Sequence, residues 1–177
     1  MDGGGAHIRG ASSRGKSTLQ RVAVSVWGSP RLLNTWRSTA NGLEGVAVVS
    51  NSTVLALDEI GEISGREVGL AVYMLANGSG KTRATRNGLT RPSARWKVML
   101  LSSGEVSLAE KMAEAESRAA AGQEVRLLDI VADDRAHGAF DTLHGMANGA
   151  AFADRLRQAT SVHHGVAGPA FVAKFLK

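Results

Sequence analysis

Cysteine is absent from all 177 residues, which removes disulfides, thiolate nucleophiles and cysteine-based zinc sites. No apolar run approaches eighteen residues, so no segment reads as a membrane span. The opening residues, MDGGGAHIRG, lack the basic stretch and apolar core of a secretory signal. A cytoplasmic location fits these absences. No internal repeat and no low-complexity linker interrupts the chain. Lysine is scarce, with six against fifteen arginines. Two of the six, Lys16 and Lys81, stand in a Gly-Lys-Ser/Thr frame.

The remaining composition is that of a soluble globular chain: 44% hydrophobic, 21% charged, net charge +5 and pI about 10.1. The length suits one domain, residues 1–177. The first strand leads almost at once into a loop, which suggests a piece of a longer protein lacking an upstream region. The spacing predicts strands at 6–10, 35–39, 53–58, 96–101 and 125–130. It predicts helices at 16–27, 40–49, 66–76 and 107–121, and a mostly helical part over 140–177. Leu19, Val22, Ala23, Val26 and Trp27 fall on one face of the first helix. The runs TVLALD and WKVMLL have the near-continuous apolar character of strands buried on both faces. Strands alternating with helices imply a three-layer α/β fold on a parallel sheet.

Gly10, Ala11, Ser12, Ser13, Arg14, Gly15, Lys16 and Ser17 match the pattern G-x-x-x-x-G-K-[ST] in full, with Thr18 following. Glycines let such a backbone curl so that several N–H groups face phosphate oxygens. The lysine neutralises phosphate charge and the Ser17 hydroxyl is suited to Mg²⁺. A helix begins at the loop, directing its positive end to the phosphates. A nucleotide hydrolase also needs an acid at the end of a buried strand. Asp58 would hold Mg²⁺ and Glu59 would polarise the attacking water; the alternative is a charged strand end at the surface. Glu59 also argues against a small-molecule kinase, which must exclude water. Ser102 or Ser103, after WKVMLL, is the candidate sensor of the terminal phosphate, unless the two serines merely open a loop. ATP and Mg²⁺ are thus the expected ligands. His163-His164, His137 and His144 lack the carboxylate spacing of metal ligands. Trp27 and Trp36 read as core residues.

The second frame, ANGSGKT, fails as a phosphate loop. Leu75 stands where its first glycine belongs, a helix precedes it and no helix follows. Between Lys81 and Lys97 there are six basic residues, Lys81, Arg83, Arg86, Arg91, Arg95 and Lys97, and no acidic one. That is +6 against +5 for the whole chain, so the other 160 residues sum to −1. Asn87-Gly88 predicts a two-residue hairpin turn, with Arg86 opposite Leu89 and Ala84 opposite Arg91. A projecting basic hairpin over 81–97 suits sequence-independent contact with nucleic-acid phosphates. A solubilising edge hairpin is the alternative.

Taken together, HIRGASSRGKSTLQRVAVSVWGSP, TWRSTANGLEGVA, VLALDEIGE, YMLANGSGKTRATRNG, LLSSGEVSLAEKM and AGQEVRLLDI resemble the family called domain of unknown function 927. The resemblance runs from about His7 to Phe171. It implies a P-loop ATPase core of RecA/AAA+ type, similar to superfamily-three helicases, in proteins of phages and mobile elements that often stand beside primases. It implies a homo-oligomeric ring and a hairpin that grips DNA, here by Lys81, Arg83, Arg86, Arg91 and Arg95. It also implies an arginine finger, for which Arg126 is preferred to Arg118. The expected function is therefore an ATP-dependent, helicase-like motor on DNA, chiefly single-stranded. The rival is a nucleic-acid-binding module whose nucleotide site is vestigial.

Overall fold

A computed structural model of the chain describes residues 3–81, 83–84, 90–91, 93–114 and 127–177. Five strands form one parallel sheet: β1 (Gly4–Arg9), β2 (Leu33–Thr35), β3 (Val54–Asp58), β6 (Met99–Gly104) and β7 (Leu127–Val131). Their spatial order is β2-β3-β6-β1-β7. The helices are α1 (Lys16–Ser25), α2 (Ala40–Val49), α3 (Gly65–Asn77), α4 (Leu108–Ala113), α5 (Gly149–Val162) and α6 (Ala167–Phe175). β4 (Arg83–Ala84) and β5 (Thr90–Arg91) pair separately, antiparallel. No helix among the described residues is long and apolar enough to cross a membrane.

Alternation along β3 divides the molecule into layers. Leu55 and Leu57 join a core cluster with Leu43 and Ala47 of α2, Val68, Val72 and Leu75 of α3, and Leu108 and Met112 of α4. Ala56 lies between them and is equally buried, so it faces the opposite side of the pleat. That side carries α1, which packs on β3 and β6 and is covered in turn by α5. Local chemistry starts each helix in the main core. Thr39 Oγ1 accepts from Gly42 N–H at 3.1 Å, and Ser64 Oγ accepts from Glu67 N–H. Ser107 and Glu110 form a reciprocal capping box on α4.

Four expectations are corrected. The strand expected at 35–39 runs over 33–35, because Thr39 is needed as a cap and Trp36 turns inward, fully buried. The strand expected at 96–101 begins at Met99. Trp96 is held back by α3: its Nε1 donates to Leu75 O at 3.0 Å and its backbone N–H to Gly78 O at 2.9 Å. Ser102 and Ser103 consequently lie inside β6, buried, rather than opening a loop. The inward face of α1 is Lys16, Gln20 and Val24, and Val26 is exposed. The hairpin register is one residue out of step with a two-residue turn. Arg83 pairs with Arg91 and Ala84 with Thr90, continuing the Ser79–Arg95 bridge that Trp96 anchors. Asn87, Gly88 and Arg86 lie outside the described residues, as do Arg118 and Arg126.

Candidate nucleotide site

β1 ends at Arg9 and the backbone then wraps through residues 10–15 into α1. Gly10 N–H donates to Gly104 O at 3.1 Å, tying the start of the loop to the end of β6. The wrap needs left-handed backbone at Ser13, with φ 61°, and at Gly15, with φ 84°. Gly15 meets that demand without the penalty a side chain would bring. Lys16, almost buried, folds back over the loop, and its Nζ donates to Gly10 O and Ala11 O, each at 2.7 Å.

A cleft of about 440 Å³ opens over this loop. Ser12, Ser13, Arg14, Gly15, Lys16, Ser17 and Thr18 form one wall, and Glu59 and Glu105 stand on it too. Gly149, Ala150, Ala153 and Arg157 bring α5 to the far side, beside His137 and Phe140. The donor set suits a polyphosphate. The start of a helix, a lysine and the hydroxyl-bearing Ser12, Ser13, Ser17 and Thr18 line one space. Carboxylates at one edge suit a cation shared with the phosphates.

Asp58 ends β3 and its carboxylate Oδ1 accepts from the Ser103 hydroxyl. Ser103 Oγ in turn accepts from Glu59 N–H at 3.3 Å. The structure thus brings Ser103, Asp58 and Glu59 together, with Glu59 on the cleft wall and Asp58 beside it. Glu59 has left-handed backbone, φ 59° and ψ 76°, at a cost of about 1–2 kcal/mol for a residue with a Cβ. Its Oε1 accepts from Gly61 N–H at 3.3 Å, which holds the carboxylate over a short 3₁₀ turn.

Ser102 has a different task. Its hydroxyl accepts from Trp36 Nε1 at 2.9 Å and meets His7 Nδ1 at 2.9 Å. His7 Nε2 lies 2.8 Å from Val106 O, which can only accept, so the ring proton sits on Nε2 and Nδ1 accepts from Ser102. Burial is the main reason the His7 pKa is lowered. The neutral ring therefore ties β1, β6 and the turn carrying Glu105 into one network. Gln20 makes a similar tie from α1. Its Nε2 donates to Leu57 O at 3.1 Å and Leu101 O at 3.0 Å, bridging β3 and β6.

Sequence reasoning missed the second hold on the loop. Asp133, just after β7, accepts from Ala11 N–H at 2.8 Å and pairs with Arg14 Nε at 3.4 Å. Ala139 N–H donates to Arg14 O at 2.7 Å. The signal was an acid just beyond the strand that neighbours β1, a position that points at the loop in a parallel sheet. Of the basic residues, Lys81 and Arg95 sit at the hairpin root, where Lys81 N–H donates to buried Glu44 Oε1 at 3.1 Å. Arg83 and Arg91 are paired above them through their backbones. Among the described residues, no group of three or more His, Asp or Glu side chains is arranged to hold a metal by itself.

Comparison with known proteins adds two findings. A family model described as "Domain of unknown function (DUF927)" matches residues 1–95, which carry the loop, the acidic pair and the hairpin. A solved structure named "SCCmec type IV Cch - active helicase" is similar at a TM-score of 0.69 and 25% identity. The match covers 99% of this chain and 29% of that one. The fold is thus P-loop NTPase-like and similar to that of a helicase. No curated protein matches the sequence.

Proposed function

The chain belongs to the family of the domain of unknown function 927, and from that premise we propose that it is the ATP-hydrolysing core of a helicase-type motor acting on DNA in mobile-element replication. The observation that carries the reading is the shared cleft, in which the 12–18 loop and Glu59 face one space. ATP is the substrate. Lys16 would exchange its two loop carbonyls for phosphate oxygens, a gain because the ammonium then meets formal negative charge. Ser17 and Asp58 would hold Mg²⁺, which supplies charge neutralisation at the phosphates. Glu59 would orient and polarise the attacking water, and Ser103, bonded to Asp58, would sense the terminal phosphate. A finger from a neighbouring copy, with Arg126 the preferred residue, would complete the site in a ring. The 81–97 hairpin would hold the strand, preferentially single-stranded DNA.

The test is ATP turnover by the purified chain with Mg²⁺, with and without single-stranded DNA. The expected outcome is turnover stimulated by DNA. Lys16→Ala is expected to lower it by about a hundredfold or more, the size of effect seen when one preorganised charge-stabilising group is lost. Glu59→Gln is expected to retain nucleotide binding while losing turnover. Equal turnover in wild type and Lys16→Ala would overturn the reading. DNA binding without any turnover in the wild-type chain would favour a binding module with a vestigial site.

A further inference from the structure

A second polar hollow lies at the opposite end of the central strands. The nucleotide cleft gathers around the C-terminal ends of β1, β3 and β6. This groove, of about 410 Å³, lies where β3 and β6 begin. Its walls are Asn51 and Asn77, Ser79, and Arg95 and Lys97, with buried Trp96 in its lining. The volume falls in the range of about 300–1,000 Å³ typical of ligand sites.

Its chemistry is one-sided. Two cations line it with the neutral Asn51, Asn77 and Ser79, and no carboxylate does so among the described residues. The nucleotide cleft, by contrast, has Glu59 and Glu105 on its walls. A hollow rich in donors and lacking acids selects for anions. Its frame is also fixed before any ligand arrives. Asn51 Oδ1 accepts from Lys97 N–H at 2.8 Å, which commits the oxygen of that amide and leaves its nitrogen to donate. Ser52 N–H donates to Lys97 O at 2.7 Å, and Gly80 N–H donates to Ala94 O at 2.8 Å. Ser79 and Arg95 are bridged across the hairpin root.

Resting on the proposed action on DNA, we propose that this groove is a seat for the phosphodiester backbone of a single strand. The turn between α2 and β3, through Asn51, then joins the root of the hairpin as part of the nucleic-acid face. A polynucleotide fits better than a small anion for two reasons. The hollow is open to solvent rather than enclosed, so its occupant need not be small enough to be engulfed. Its cations also belong to a stretch of sequence, 81–97, that holds six basic residues and no acidic one. The Asn51 amide nitrogen and the Ser79 hydroxyl suit phosphate oxygens, contacts that position a strand without reading its bases.

The test uses the full 177-residue chain and a short fluorescein-labelled oligodeoxythymidine, read by fluorescence anisotropy at several KCl concentrations. Lys97→Gln is expected to weaken binding about five- to tenfold at low salt and to reduce the slope of log affinity against log salt by about 0.7, one single-strand phosphate contact. Asn51→Asp keeps the acceptor for Lys97 N–H but exchanges a donor for negative charge, and is expected to weaken binding at least as much. Both variants are expected to melt with the wild-type midpoint. Lys174→Gln removes one charge from the remote α6 and is expected to bind as wild type. Wild-type affinity and slope in Lys97→Gln and Asn51→Asp would overturn the proposal. So would equal weakening by Lys174→Gln, no binding by the wild-type chain, or complete displacement of the strand by orthophosphate at matched ionic strength. Failure of the motor reading appears separately, as absent ATP turnover in a chain whose groove variants still lose the strand.

Discussion

His7 has no exposed surface and sits in the strand that delivers the phosphate loop. Its position has a pH consequence. Burial, the largest cause, lowers its pKa in the folded chain below the ordinary 6.5. The unfolded chain therefore binds the proton more readily than the folded one. The stability that neutral His7 contributes is full above pH 6.5 and is lost as pH falls from there toward the folded value. The urea midpoint is expected to drop between pH 7.5 and 5.5, and the drop is expected to shrink in His7→Gln. A wild-type midpoint that stays level across that window would remove this role. Gln20 is the neutral counterpart. Both of its Nε2 hydrogens are spent on strand carbonyls, while its Oε1 has no hydrogen-bond partner among the described residues. Gln20→Ala is expected to cost about 1–3 kcal/mol in chemical denaturation, because two buried carbonyls lose their donor.

At the scale of elements, the phosphate loop is gripped from two sides, by α1 that follows it and by the segment after β7. Gly138 shows how close the second grip is. A Cβ there would stand 2.4 Å from Arg14 O, and its φ is +69°. Gly145 has φ +82° but nothing within 4 Å of a built Cβ. Gly145→Ala is therefore expected to cost only the left-handed penalty of about 1–2 kcal/mol. Gly138→Ala is expected to cost more and to raise the KM for ATP, because relieving the clash must displace the loop. Equal costs and an unchanged KM would show that the segment merely rests there. These elements also mark what could be read from the chain. α2 and α3 were legible because their apolar residues recur at helical spacing, while the cap role of Thr39 was missed and the residue was read into a strand. Loop residues 10–17 and the Asp58-Glu59 pair were legible because their chemistry dictates their spacing. The start of β6 was not, since Trp96 looks like a strand residue until Leu75 O is seen to hold it. The inward face of α1 was misread because Lys16 and Gln20, both polar, face inward for hydrogen bonds that no periodicity scale registers. Asp133 was illegible because its partners, Ala11 and Arg14, are about 120 positions away.

Over the whole molecule, charge is separated from the body. Residues 81–97 carry +6 and the remainder sums to −1. A pI near 10.1 thus comes from one basic stretch of sequence set in an otherwise nearly neutral chain. Binding of a strand is expected to be strongly salt-dependent, while folding is not. Raising KCl from about 50 to 200 mM is expected to lower oligonucleotide affinity about tenfold or more, given three or more phosphate contacts. The thermal midpoint over the same range is expected to move little, because exposed charge pairs contribute about 0–1 kcal/mol each. A midpoint that tracks the affinity would place the charge in the fold instead. The exposed Phe171 and Phe175 on α6, stacked with centroids 6.0 Å apart, give the same body one large apolar ledge.

The displaced start of β6 has a mechanical meaning. Lys97 is stitched to the turn before β3, and six residues later Ser103 holds the carboxylate of Asp58. The chain between them is extended, at about 3.3 Å per residue, and an extended backbone has no slack. The two fastenings stand about 20 Å apart along it. The hairpin root and the carboxylate of Asp58 are thus fastened to opposite ends of a single strand, so a shift of that strand would reach both.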